Sequence, residues 1–203
     1  MMLNNWQTDG ETLRQLTFAN KEKQVILGTL LGNSSIIKPR KSKNPHFQMR
    51  ESVSKNGIWI RCKAHELQRF SRPKSFVQDK DSFRWNSISC SCWNEFYDLC
   101  YKDNTKNITE LWLDQLQDYG VACWFMDKGE FKKNSASLRI SRLSESSVQA
   151  IKNYFQILGI DGEIKKFGGS KIISFAGPNL AKFMKIFSHR LPVYYKLQFN
   201  KSF

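Results

Sequence analysis

The chain has 203 residues, enough for one domain with a sizeable core or two tightly packed half-domains, and one folding unit is expected. Lys and Arg outnumber Asp and Glu by 32 to 18, giving a formal charge of +14 and a pI near 9.7. The excess of seven on each side of residue 110 (18 against 11, then 14 against 7) excludes a basic tail as its source and points to a polyanionic partner. Five cysteines without a CxxC pair and three scattered histidines argue against a disulfide scaffold or a zinc site, no apolar run approaches the ~20 residues of a membrane span, and the opening MMLNNWQTDG does not read as a signal peptide, so a soluble, reduced, intracellular protein is expected.

From Lys23 to Gly32, Val25, Ile26, Leu27, Leu30 and Leu31 recur at helical spacing. Gly28 and Gly32 stand four apart there, a flat strip that a second backbone can approach. Strands are predicted over 35–38 and 47–52, flanking a basic loop with Lys38, Arg40, Lys41 and Lys43 that can track phosphates. A helix over 57–70 is closed by Pro73, a strand-like stretch runs over 83–92, and a helix over 93–101 leads to a polar break at 102–106.

The second half repeats this order, with a helix over 118–128, a strand over 137–141 and a helix over 144–158 that opens on the N-cap signal Ser144-Glu-Ser-Ser147. Strands over 164–167 and 171–176 turn at Gly168-Gly169-Ser170, and Pro178 opens a last helix through Phe187. The unit is therefore helix, two strands, helix, two strands, helix, used twice. Trp59, Trp85, Trp93, Trp112 and Trp124 lie mostly in apolar-periodic segments, which favours core packing over stacking on bases.

Two segments stand about 95 residues apart, VILGTLLGNSS at 25–35 and GVACWFMDKGEF at 120–131. On these motifs the chain resembles the LAGLIDADG homing endonucleases, in the single-chain, two-motif, intron-encoded branch. The nine-residue motifs align as 26–34 and 121–129, and the resemblance runs from about Val25 to Leu197, with secondary matches at 83–92, 124–127 and 194–196. It implies an α+β fold of two pseudo-symmetric αββαββα halves, about 20–106 and 111–200, forming a DNA-binding saddle around two packed motif helices. The implied partner is a long double-stranded DNA site bound by a monomer. The candidate contacts are Lys38, Arg40, Lys41, Lys43, Gln48, Arg50, Arg84, Asn86 and Ser89 in the first half. In the second half they are Lys132, Lys133, Arg139, Arg142, Lys165, Lys166 and Lys171.

In the family, one carboxylate from each motif, just before the final Gly, holds divalent cations that activate water, and the resemblance implies Mg²⁺ as the cofactor of an active member. Here the aligned positions are Asn33 and Lys128. Asn33 offers a neutral carbonyl, but Lys128 puts a positive charge where a cation belongs. Asp127 is the remaining candidate metal ligand, directed about 100° away from Lys128 on a helix, with Glu130 a second. The expectation is DNA binding with cleavage lost or weakened. The alternatives are an intron-RNA maturase and a protein co-opted to bind DNA or a structured RNA. The resemblance implies a mitochondrial, chloroplast, phage or bacterial setting.

Overall fold

A computed structural model describes residues 16–39, 44–55, 57–167 and 170–193. The chain divides into two compact units. One takes in Met1–Lys23 and Ser34–Asp98, the other Gln24–Asn33 and Leu99–Phe203. Helix α1 (Asn20–Leu31) therefore starts in the first unit and finishes in the second. Its first turn is closed by Glu22, whose carboxylate accepts the Ala19 N–H at 2.7 Å.

The first unit continues through β1 (Ser34–Ile37), β2 (His46–Ser52), α2 (Ile58–Glu66), β3 (Phe76–Gln78), β4 (Ser82–Asn86) and α3 (Asn94–Cys100), whose last two residues fall in the second unit. Its four strands form one antiparallel sheet in the order β1-β2-β4-β3. Strict alternation on β2 buries Phe47, Met49 and Glu51 and turns Gln48 and Arg50 outward. The inward carboxylate of Glu51 is not stranded, because it accepts the Ile60 N–H in the first turn of α2 at 3.2 Å. Behind the sheet, Phe18, Phe47, Phe70, Trp85, Trp93 and Phe96 form an aromatic core, with Phe47 stacked on Trp93 at 5.4 Å and Phe18 on Phe70 at 4.7 Å. Such ring pairs contribute about 0.5–1.5 kcal/mol each beyond area burial.

The second unit adds a small hairpin, β5 (Tyr101–Lys102) and β6 (Thr105–Lys106), and a short helix α4 (Glu110–Leu113). The same succession then recurs: α5 (Asp118–Lys128), β7 (Gly129–Lys132), β8 (Ser135–Arg139), α6 (Glu145–Ile157), β9 (Glu163–Phe167), β10 (Ser170–Ala176) and α7 (Pro178–Phe187). Its sheet order, β7-β8-β10-β9, matches the first. Ser144 caps α6, its hydroxyl accepting the Ser147 N–H at 3.2 Å, and Pro178 opens α7, both as predicted. The core here is Trp124, Phe125, Phe155, Phe175, Phe183 and Phe187, with Phe175 stacked on Phe183 at 4.1 Å. All five tryptophans named above are buried.

The α+β class and the twofold use of αββαββα are as expected, and several boundaries are not. The strand expected over 83–92 ends at Asn86: the Ser87 N–H still donates to the Phe47 carbonyl at 2.9 Å, but the return bond from the Phe47 N–H goes to the Ser87 hydroxyl at 2.9 Å, and the next amide, of Ile88, donates to the Phe70 carbonyl at 2.8 Å. The helix expected over 57–70 stops at Glu66 and tightens into a 3₁₀ turn, Gln68–Phe70. The hairpin turn at 168–169, the basic-loop residues Arg40, Lys41 and Lys43, and the 194–196 match lie outside the described residues. Among the described residues, no helix is long and apolar enough to cross a membrane.

Candidate nucleic-acid interface

Helices α1 and α5 are enclosed over most of their length. Val25–Leu31 and Gly120–Asp127 are buried throughout, as helices enclosed on all sides must be. Within the second unit they meet through glycine. A Cβ on Gly28 would stand 2.7 Å from the carbonyl carbon of Gly120 and 2.9 Å from its Cα, a backbone-to-backbone approach only glycine permits. Gln24 fastens the other end of this contact, donating to the Gln115 carbonyl at 2.9 Å and accepting the Gln117 N–H at 2.7 Å. Gln24 is 3% exposed and was not singled out from the sequence, where a lone Gln in an apolar run carries no signal.

At the C-terminal ends of the two helices, Asp127 reaches across to α1. Its carboxylate accepts the Asn33 N–H at 3.1 Å, and its main-chain carbonyl accepts the Asn33 side-chain amide at 3.3 Å. Gly32 leaves room for this carboxylate, since a Cβ there would fall 2.7 Å from Asp127 Cγ. Asp127 is 7% exposed, and its hydrogen bonds tie Asn33, two residues past the end of α1, to the end of α5. Asn33 and Lys128 each stand directly ahead of the first strand of a sheet, Ser34 of β1 and Gly129 of β7, which are equivalent places in the two repeats.

Lys128 is half-buried beside a cavity of about 410 Å³ in the second unit. Lys106, at the end of β6, reaches the same cavity and donates to the Leu30 carbonyl at 2.6 Å, capping the C-terminal end of α1. Burial, with the nearby Lys128 charge, pulls the Lys106 ammonium down to about 8. Sequence reasoning passed over Lys106 as part of a polar break. The signal was the Asp103-Asn104 pair, both left-handed (φ 51° and 63°), which turns the chain back as a two-residue hairpin.

A divalent cation requires several oxygen ligands with net negative charge. The motif ends offer the neutral Asn33 side chain, a buried Asp127 carboxylate engaged by Asn33, and two ammonium groups. This donor set does not fit the cation. Among the described residues, no cluster of three or more His, Cys, Asp or Glu suits a metal ion.

The outward face of the first sheet carries Gln48 and Asn86, paired across β2 and β4 and bonded at 2.7 Å, with Arg50 and Arg84 opposite one another on the next rung. Arg50 also donates to the Ser82 hydroxyl at 3.1 Å, and Arg84 approaches Asp79 at 3.6 Å. Ser89 lies beyond the end of β4 and not on this face. Lys38 follows β1, its ammonium 5.1 Å from the centre of the Tyr97 ring. On the second sheet, pairing puts Lys132, Ser135, Ser137, Arg139, Ile172, Ser174 and Lys165 on one face. Lys132 approaches Glu130 at 3.7 Å, Lys165 pairs with Glu163 at 2.9 Å, and Lys133 stands in the β7–β8 turn. Lys166 and Lys171 oppose each other on the other face, where Lys171 bonds to Glu145 at the start of α6 and helps hold that carboxyl below its ordinary range. These two lysines, grouped with Lys165 from sequence, thus part from it by strand parity. Arg142 is exposed in a left-handed conformation (φ 64°) just after β8.

Two helices buried over most of their length, each leading into a four-stranded antiparallel sheet of the same order, make up a fold shared with structurally known homing endonucleases. The chain aligns with the homing endonuclease I-WcaI, solved bound to its DNA recognition sequence, at a TM-score of 0.81 and 16% identity, covering 96% of this chain and 93% of that one. I-DmoI in complex with DNA and Mn aligns at 0.53 and 11% (82% and 96% covered), and the N-terminal LAGLIDADG domain of DUF199/WhiA at 0.52 and 9% (93% and 92% covered). A comparison with curated proteins finds no match. The sequence pattern of the LAGLIDADG DNA endonuclease family matches residues 23–183, and the chain belongs to that family.

Proposed function

We propose that this protein binds long double-stranded DNA through the outward faces of its two sheets, and that metal-dependent phosphodiester cleavage has been lost or severely weakened. One observation carries the second half of the reading: the equivalent positions ahead of β1 and β7 hold Asn33 and Lys128, and the adjacent carboxylate of Asp127 is buried against the Asn33 amide. The first half is supported by the +14 charge shared along the chain and by faces that mix Arg and Lys with amide and hydroxyl groups. Gln48, Asn86, Arg50 and Arg84 are the proposed base-edge and phosphate contacts of the first sheet, and Arg139, Lys132 and Lys165 those of the second. I-WcaI was solved on its recognition DNA, and I-DmoI with DNA in the presence of Mn, Mg or Ca, which gives the duplex precedence as the ligand to try.

The test is to select bound duplexes from a random library with the purified chain, then assay binding and cleavage of the selected site in Mg²⁺, Mn²⁺ or EDTA. Tight, salt-sensitive binding without cutting is expected. Cutting by the unaltered chain in either metal would refute the loss of chemistry. A folded intron RNA that displaces the duplex at lower concentration would replace DNA with RNA as the ligand and favour the maturase reading. The double change Asn33→Asp with Lys128→Asp restores one carboxylate per repeat and is expected to produce metal-dependent cleavage. A variant that binds normally and stays inert would show that these are not the two catalytic positions.

A further inference from the structure

Two neighbouring rungs on the outward face of the first sheet hold their side chains in place by bonds within the sheet itself. On one, the Gln48 amide donates to the Asn86 side-chain carbonyl at 2.7 Å. That bond leaves a carbonyl oxygen on Gln48 and amide N–H groups on Asn86, and the same pair of groups remains if both amides turn over. On the next rung the Arg50 Nε donates to the Ser82 hydroxyl at 3.1 Å, which leaves the two terminal nitrogens of the guanidinium as a fork. We propose that the Gln48–Asn86 rung reads an adenine in the major groove of the bound duplex, and that Arg50 reads a guanine two base pairs away. This assignment rests on the duplex reading above and names the bases it would select.

Each base shows the major groove its own donors and acceptors. Adenine sets its N6 hydrogens beside the acceptor N7, so it calls for an acceptor next to a donor, which is what the amide rung retains. Guanine would set its O6 against the carbonyl of that rung, and thymine or cytosine would engage one of the two groups and leave the other buried and unpaired. A fork of two donors, in contrast, matches the O6 and N7 acceptors of guanine. Arg84, directly opposite Arg50, is less suited, because a terminal nitrogen lies 3.6 Å from the Asp79 carboxylate and reading a base would cost it that partner. Gln48 and Arg50 stand two residues apart on one face of β2, about 6.6 Å at the usual strand rise and close to two base-pair steps of about 3.4 Å. Side chains already bonded within the sheet also lose less freedom on binding.

The full-length protein and its variants are each used to select duplexes from a random library in EDTA, and the bound pools are sequenced. For the wild type, an adenine position and a guanine position two base pairs from it are expected, each favoured about tenfold over the other bases. The double change Gln48→Ala with Asn86→Ala should level the adenine position and spare the guanine. Both residues are changed because either amide alone can engage adenine. Arg50→Lys keeps the charge but loses the fork, so it should level the guanine position, spare the adenine and leave the salt slope of binding unchanged. Ser82 is a positioning residue, and Ser82→Ala should weaken the guanine preference severalfold without touching the adenine position or the salt slope. In every variant the spared position shows that the sheet is folded.

Wild-type pools that bind tightly but lack this pair of positions overturn the assignment and leave the duplex reading standing. So do variants that level some other base, or that level both positions while melting at the wild-type temperature. Pools without enrichment, together with an absence of salt-sensitive duplex binding, remove the duplex reading itself.

Discussion

Replacing Gly28 by Ala adds one methyl group where α1 touches α5, and the sign of its effect tests that contact. In a helix free of neighbours, Gly→Ala is stabilising by about 0.5–1 kcal/mol, because Ala has less backbone entropy to lose. Here the new Cβ would lie 2.7 Å from the carbonyl carbon of Gly120 and 2.9 Å from its Cα, backbone atoms with no rotamer to move aside. Overpacking of this kind costs about 3 kcal/mol, the upper part of its usual range, since only a shift of a whole helix relieves it. Subtracting the propensity gain leaves a net loss of about 2 kcal/mol, or roughly 4–8 °C in melting temperature for a chain of this size. Thermal unfolding followed by far-UV circular dichroism, with a urea midpoint as a second measure, reads this directly. A melting temperature equal to or above that of the wild type would refute the close approach at Gly28, and with it the assignment of 24–33 to the second unit.

Two further outcomes follow from the side chains bonded at the end of α1. Lys106 is held at about 8 against an ordinary 10.5, chiefly by burial and then by Lys128, with Asp127 and Cys100 acting in the opposite sense. The unfolded chain therefore binds more protons between these values, and this lysine's contribution to stability rises with pH through that window, by on the order of 3 kcal/mol. The difference between wild-type and Lys106→Met stability, measured by urea titration from pH 7.5 to 10.5, should grow with pH, and a constant difference would contradict the burial of the ammonium. Asp127→Ala removes the acceptor of the Asn33 N–H and should cost about 1–3 kcal/mol, while Asp127→Asn retains an acceptor and should cost less. Equal losses in the two variants, read from urea midpoints, would assign the effect to charge and not to the hydrogen bond with Asn33.

The repeat was legible because it rests on local signals: the glycines of α1, the Ser144 cap of α6 and the Pro178 start of α7 mark their places without tertiary help. Strands β3 and β7, three and four residues long, are too short for alternation to register, and neither was read as a strand. The fate of the motif ends was only half visible. Alignment pairs Asn33 with Lys128, and the structure puts them ahead of β1 and β7, but the engagement of Asp127 by Asn33 depends on a partner 94 residues away. The same is true of Lys106, whose target, Leu30, is 76 residues distant. Which lysines share a face on the second sheet depends on register, and register is fixed by pairing between β8, β10 and β9, not by the residues of any one strand.

The division of α1 between the two units has a bearing on how the chain is made. Residues 24–31 leave the ribosome before their partners on α5 and the Lys106 cap, which are synthesised about 76–92 residues later, so a largely apolar helix segment waits without its burial. Contacts of such sequence separation slow folding, since a long loop must close before they form. The nascent first unit can build its sheet and aromatic core in the meantime. Its leading helix is completed only when the second unit arrives, which makes this segment the place where a chaperone, or premature aggregation, would act.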